Sequence, residues 1–179
     1  VRLDPILLAL ISVVLGFGLV VLFSAAGDQT SMFDAQCQRV LAAMAILVVA
    51  AQLPPGVYLR WAPFVYLLGL VLLVLVLFVG VTVKGSQRWL EIPGVLRFQP
   101  SELMKIAVPM ALAWYLQQRV LPPSPKHVFF SLLIIALPTL AIAVQPDLGT
   151  AILVAGAGFA VLMLAGLSWR YLIFAGALI

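Results

Sequence analysis

The sequence predicts an all-α, polytopic helical membrane protein, and three observations carry that prediction. Hydrophobic residues make up 65% of the 179 residues and charged residues only 9%, with a mean hydropathy of +1.22. A soluble domain carries about 25% charged residues. Several runs approach the roughly 20 apolar residues that cross a bilayer. The third observation is an absence: no segments of about 10 residues alternate in polarity, as a membrane β-barrel requires. The expected architecture is six full transmembrane helices plus the start of a seventh, in a single transmembrane domain over residues 1–179.

Taken in order, the spans are placed near 5–26, 38–56, 61–83, 101–118, 127–145 and 148–167. The first is too long for the apolar core of a cleavable signal peptide, so it reads as a retained helix. Spans three and four are joined by residues 84–100, the longest connection, which reads as an outer interfacial loop. Span four opens with "FQPSELMK". There Ser101 follows Pro100 and fits an N-cap, and Glu102 lies where the helix dipole favours negative charge. Pro109 has no N–H for the carbonyl of Lys105, and Pro138 marks a kink in span five. Asp147 in "QPDLGT" fits the N-cap of span six, with Thr150 at N3. "FQPSE" and "VQPDL" share a Gln-Pro start, which reads as capping chemistry rather than duplication. Gly156, Gly158 and Gly166 suit close helix packing; no strand–turn–helix setting makes them a dinucleotide site. A seventh span begins at Arg170 and is cut at Ile179, so the chain is expected to be part of a longer protein.

The charge pattern narrows the partners. A net charge of +4 without a Lys/Arg run gives no footprint for nucleic acid and suits membrane lipid or an anionic lipid-linked substrate. Cys37 is the sole cysteine, so no intrachain disulfide can form. With the N-terminus inside, Arg2, Arg60, Arg119, Lys126 and Arg170 fall inside, while Arg39, Lys84, Arg88, Arg97 and Lys105 fall outside. Equal counts decide nothing under the positive-inside rule. If residues 84–105 are basic for a functional reason, the remaining count favours a cytoplasmic N-terminus. His127 has no partner motif and reads as structural.

Glu102 and Lys105 pose the sharpest question. A charge at mid-bilayer costs on the order of 2.5–3.5 kcal/mol, whereas an exposed pair three residues apart returns about 0.2–0.5 kcal/mol. The pair cannot justify itself against lipid. Either Glu102 caps the helix while Lys105 snorkels to the headgroups, or both face a polar cavity between helices. Arg39, Lys84, Arg88, Arg97, Glu102, Lys105 and Asp147 are all expected on the outer face. Ordinary interfacial anchoring fits several of them singly. Together they would suit a diphosphate held by cations, with carboxylates nearby for proton transfer or metal binding.

"KGSQRWLEIPGVLRFQPSELMKIAVP", "AQLPPGVYLRWAPFVYLLG", "VQPDLGT" and "LAGLSWR" together resemble the SEDS family (shape, elongation, division and sporulation proteins). The wording is closer to its elongation branch than to its division or sporulation branches. The resemblance implies a ten-helix glycosyltransferase of the bacterial inner membrane. Such proteins polymerise lipid II, the undecaprenyl-diphosphate-linked precursor, on the outer face beside a class B penicillin-binding protein. It implies that Glu102, Lys105 and Asp147 are catalytic, and that Arg39, Arg88, Arg97 and Gln99 line an outward cavity. Lys84, Trp89 and Ser101 join these as candidate substrate-binding residues. No organic cofactor is expected, and a divalent cation is possible. The family's acidic base lies in an outer loop after helix seven, so this segment alone is expected to be inactive. A precursor transporter and a non-catalytic scaffold are the alternatives. A scaffold would tolerate loss of Glu102.

Overall fold

The computed structural model describes residues 4–27, 30–83, 86–92 and 96–167. The chain divides into two compact units, Val1–Val57 and Tyr58–Ile179. In the first, α1 (Pro5–Ala26) starts at Asp4, whose carboxylate accepts from the amides of Ile6 and Leu7 at 2.8 and 3.2 Å. Pro5 supplies the fixed φ that suits a first helical position. Helix α2 (Thr30–Gln52) packs along α1, with Phe23 and Phe33 edge to face at 5.3 Å. It starts at Thr30 rather than near 38, so Arg39 lies well inside the helix rather than at its outer end.

The second unit takes nearly all of α3 (Pro55–Val79). It continues through β1 (Val81–Val83), β2 (Ser86–Ile92), β3 (Leu96–Phe98), α4 (Pro100–Leu116), α5 (Pro125–Val144) and α6 (Leu148–Leu164). Helix α4 is central, packing on α5, α6 and β2. Its buried residues Pro100, Met104, Ala107, Val108, Ala111 and Leu112 recur at helical spacing. Two close approaches need glycine. A Cβ on Gly69 of α3 would overlap Met104 Sδ, and one on Gly158 of α6 would lie 2.6 Å from Ile135 Cγ1 and 3.2 Å from Val108 Cγ1. Gly156, by contrast, has open space beside it, so only one of the paired glycines serves packing. Gly166 has φ +91° and ends α6: its amide donates to Met163 O, and Leu167 N donates to Leu162 O. That pattern is the Schellman motif, and the accompanying apolar pair, Leu162 and Leu167, is buried.

Three expectations change. The helices stand in the expected order, but four of the described ones, α1, α2, α3 and α5, are long and apolar enough to cross a membrane, not six. Helices α4 and α6 have 17 residues each, about 25 Å at 1.5 Å per residue, just short of a hydrocarbon core of about 30 Å. Most of residues 84–100 form strands rather than loop: β1, β2 and β3 make a small antiparallel sheet in that order. Third, the N-cap of α4 is Gln99 and not Ser101, because Pro100 already takes the first helical position. The start of the seventh span lies outside the described residues.

Candidate functional site

The site assembles where β2 meets the first turns of α4 and α6. Asp147 is the N-cap of α6, and its Oδ1 accepts from Thr150 N at 3.3 Å, as the sequence predicted. Its Oδ2 accepts from Gln99 Nε2 at 2.9 Å and lies 3.5 Å from Arg88 NH1. The Gln99 amide also donates to Ser101 Oγ at 2.8 Å. The two Gln-Pro segments therefore touch: the cap of α4 holds the cap of α6. Ser101 is buried, and the Asp147 side chain is 10% exposed. Burying a carboxylate is costly unless hydrogen-bond donors surround it. Arg88 Nε is buried with no hydrogen-bond partner among the described residues. The guanidinium thus keeps an unused donor at the site.

On the adjoining face of α4, Lys105 Nζ and Glu102 Oε1 pair at 2.8 Å. Their side chains are 32% and 54% exposed, respectively. Across β2 and β3, Glu91 stands directly opposite Arg97 and pairs with it at 3.0 Å. Opposite charges in register are a favourable cross-strand pair. Trp89 is half-buried on β2, in register with Val81.

The structure therefore joins Arg88, Gln99, Ser101 and Asp147 into one network, with Glu102–Lys105 on the same helix and Arg97 held by Glu91. Arg39 belongs to the other unit and is exposed on α2. Lys84 lies outside the described residues. Among the described residues no three of His, Cys, Asp and Glu gather as a metal site, and Glu102 and Asp147 each already face a basic side chain. The described residues thus do not supply a ready divalent-cation site.

Several polar residues escaped the sequence reading. Gln145, fully buried at the C-cap of α5, donates to Leu73 O of α3 at 3.0 Å. Gln87 donates to Gly80 O at 2.9 Å, and Tyr66 donates to Ile134 O at 2.9 Å. Only the Gln-Pro repetition hinted at Gln145; nothing local marks the other two. His127 is not alone, since its Nδ1 lies 2.9 Å from Tyr115 Oη.

Comparison with known proteins places the chain among relatives. The chain is 46% identical over 170 residues to the peptidoglycan glycosyltransferase MrdB of Escherichia coli (strain K12), covering 95% of this chain and 46% of that protein. It is 34% identical over 142 residues to the probable peptidoglycan glycosyltransferase FtsW of Halomonas elongata, covering 76% and 36%. The chain thus spans about half or less of the length of these curated relatives. Among solved structures, the rod shape determining protein RodA of Thermus thermophilus superposes with a TM-score of 0.85 at 31% identity, over 99% of this chain and 60% of that one. A structure described as coordination of polymerization and crosslinking by a peptidoglycan synthase complex gives 0.88 at 31% identity, over 98% and 52%. Residues 5–179 match the FtsW/RodA/SpoVE family model, described as cell cycle protein, and the chain belongs to that family of membrane proteins.

Proposed function

We propose that a full-length protein carrying this chain is a peptidoglycan glycosyltransferase that polymerises lipid II at the outer face of the bacterial inner membrane during elongation. The observation that carries the reading is the polar network at the first turns of α4 and α6. It sets Arg88, with a buried unused donor, beside Asp147 and Gln99, near the Glu102–Lys105 pair. Greater identity to MrdB than to FtsW supports the elongation role. A class B penicillin-binding protein is the proposed partner, supported by the likeness to a synthase complex that couples polymerization to crosslinking.

The reaction is glycosyl transfer with inversion at the donor's anomeric carbon. The lipid II 4-hydroxyl attacks, the bond to the growing strand's diphosphate breaks, and the diphosphate leaves with its lipid. Arg88, Arg97 and Lys105 neutralise charge on that leaving group. Donors aimed at developing charge are usually the largest single catalytic contribution, about 10²–10³ in rate for one donor. Glu102 holds Lys105 in place, and Asp147 with Gln99 holds Arg88. The general base is assigned to a residue outside this segment.

Full-length protein, purified with its penicillin-binding partner and given labelled lipid II, tests this reading. With crosslinking blocked, wild type is expected to yield long glycan strands. Glu102→Ala and Lys105→Ala are expected to lose them while still inserting into the membrane. Near-normal strand yield from both variants would sink the assignment. Lipid reaching the opposite leaflet without strand growth would favour a transporter.

A further inference from the structure

The opposite end of α4 holds a second constellation that the proposed reaction does not use. Gln118, Arg119, Val120, Pro122, Ser124 and His127 line a cavity of about 420 Å³ in the turn between α4 and α5. Arg119 lies over the Tyr115 ring, 5.5 Å from its centroid. That contact positions the guanidinium and leaves its N–H fork for an anion. The Tyr115 hydroxyl occupies Nδ1 of His127, leaving Nε2 as the nitrogen without a partner among the described residues. Ser124 is the N-cap of α5 but makes no side-chain capping bond, so its hydroxyl is also available.

Charge is segregated between the two ends. Among the described residues from Tyr58 onward, the acids Glu91, Glu102 and Asp147 each pair with a cation at the β2 end. No described acid pairs with Arg119 or Lys126 at this end, which lies about 25 Å away along α4. Two aliphatic side chains stand out in the same turn: Val120 is 88% exposed and Leu121 53% exposed. The turn leads directly into α5, a helix long and apolar enough to cross a membrane. Donors lining this surface cavity, with exposed aliphatic side chains beside them, match a phosphodiester carried on acyl chains.

We propose that the α4–α5 turn binds the phosphate of an anionic phospholipid, held by Arg119 with His127 and Ser124. A free phosphate offers the same acceptor oxygens but makes no use of Val120 and Leu121. This site stands independently of the proposed reaction.

Native mass spectrometry of the full-length protein in detergent, titrated with phosphatidylglycerol or phosphatidylcholine, reads the site directly. Wild type is expected to prefer phosphatidylglycerol by about tenfold, because phosphatidylcholine offers the same phosphate but its own ammonium offsets the charge that Arg119 would meet. Arg119→Gln and, separately, His127→Gln should reduce the preference to about twofold or less. Arg119→Lys should restore part of it. Arg60→Gln, a control cation that does not line the cavity, should leave it intact. Equal uptake of both lipids by wild type would overturn the proposal. So would an unchanged preference in Arg119→Gln and His127→Gln, or equal losses from Arg60→Gln and Arg119→Gln, which describe a diffuse basic belt. Inorganic phosphate bound in the cavity without lipid preference would show a free-anion site and overturn it too.

Discussion

At Asp147 one carboxylate does two jobs that substitution can separate. Its Oδ1 caps α6 through Thr150 N, while Oδ2 meets Gln99 and Arg88. Asp147→Asn keeps an oxygen for the cap and loses the charge facing Arg88. Asp147→Ala loses both. The alanine variant is therefore expected to be less stable than the asparagine variant by about 1 kcal/mol, the usual worth of an N-cap, in thermal unfolding of the protein in lipid nanodiscs. Both variants should lose strand synthesis, since neither compensates Arg88. Equal stabilities would mean that the cap contributes nothing. The Glu102–Lys105 pair belongs to the same scale. Its spacing made the contact predictable, because residues three apart on a helix are neighbours, and the 2.8 Å separation follows from that.

Among the elements, α4 is the one on which the second unit is organised. It is short for a span, carries its charges in the first turns, and buries an apolar stripe against α5 and α6. That stripe leaves little slack at Gly158, where α6 approaches Ile135 and Val108. Gly158→Ala is expected to destabilise by about 1–3 kcal/mol through overpacking, and Ile135→Ala in the same chain should recover part of that loss. Additive losses in the double variant would show that the two positions do not share the space. The small sheet has a different role. Arg88, on β2, reaches Asp147 from outside the helices, so the strands deliver a cation that none of the described helices of this unit supplies at that point.

For the whole chain, the two ends of the second unit are expected on opposite sides of the membrane. With Cys37 replaced by serine, a cysteine at Ser124 should react with a membrane-impermeant maleimide only from the cytoplasmic side. A cysteine at Glu91 should react only from outside. Labelling of both from one side would overturn the proposed orientation. The proposed mechanism depends on this arrangement, because it requires the polar network to open to the leaflet where the proposed polymerisation takes place.

Helix existence, order and much of the chemistry were determined by the sequence itself, because these rest on local interactions. A helix satisfies its own backbone within four residues, so apolar runs and the Asp147 cap can be read directly. The exact helix starts were less legible: Pro100 displaced the cap from Ser101 to Gln99. The strands of residues 81–98 were hidden by their shortness, since runs of 3 to 7 residues resemble an interfacial loop. What tertiary structure alone decided is which polar groups meet. Gln99 finds Asp147 across 48 residues, and Gln145 finds Leu73 across 72. A buried amide or guanidinium must find a partner somewhere, yet nothing near it in sequence says where. Only the packing of α3, α4, α5 and α6 brings those partners within hydrogen-bonding distance.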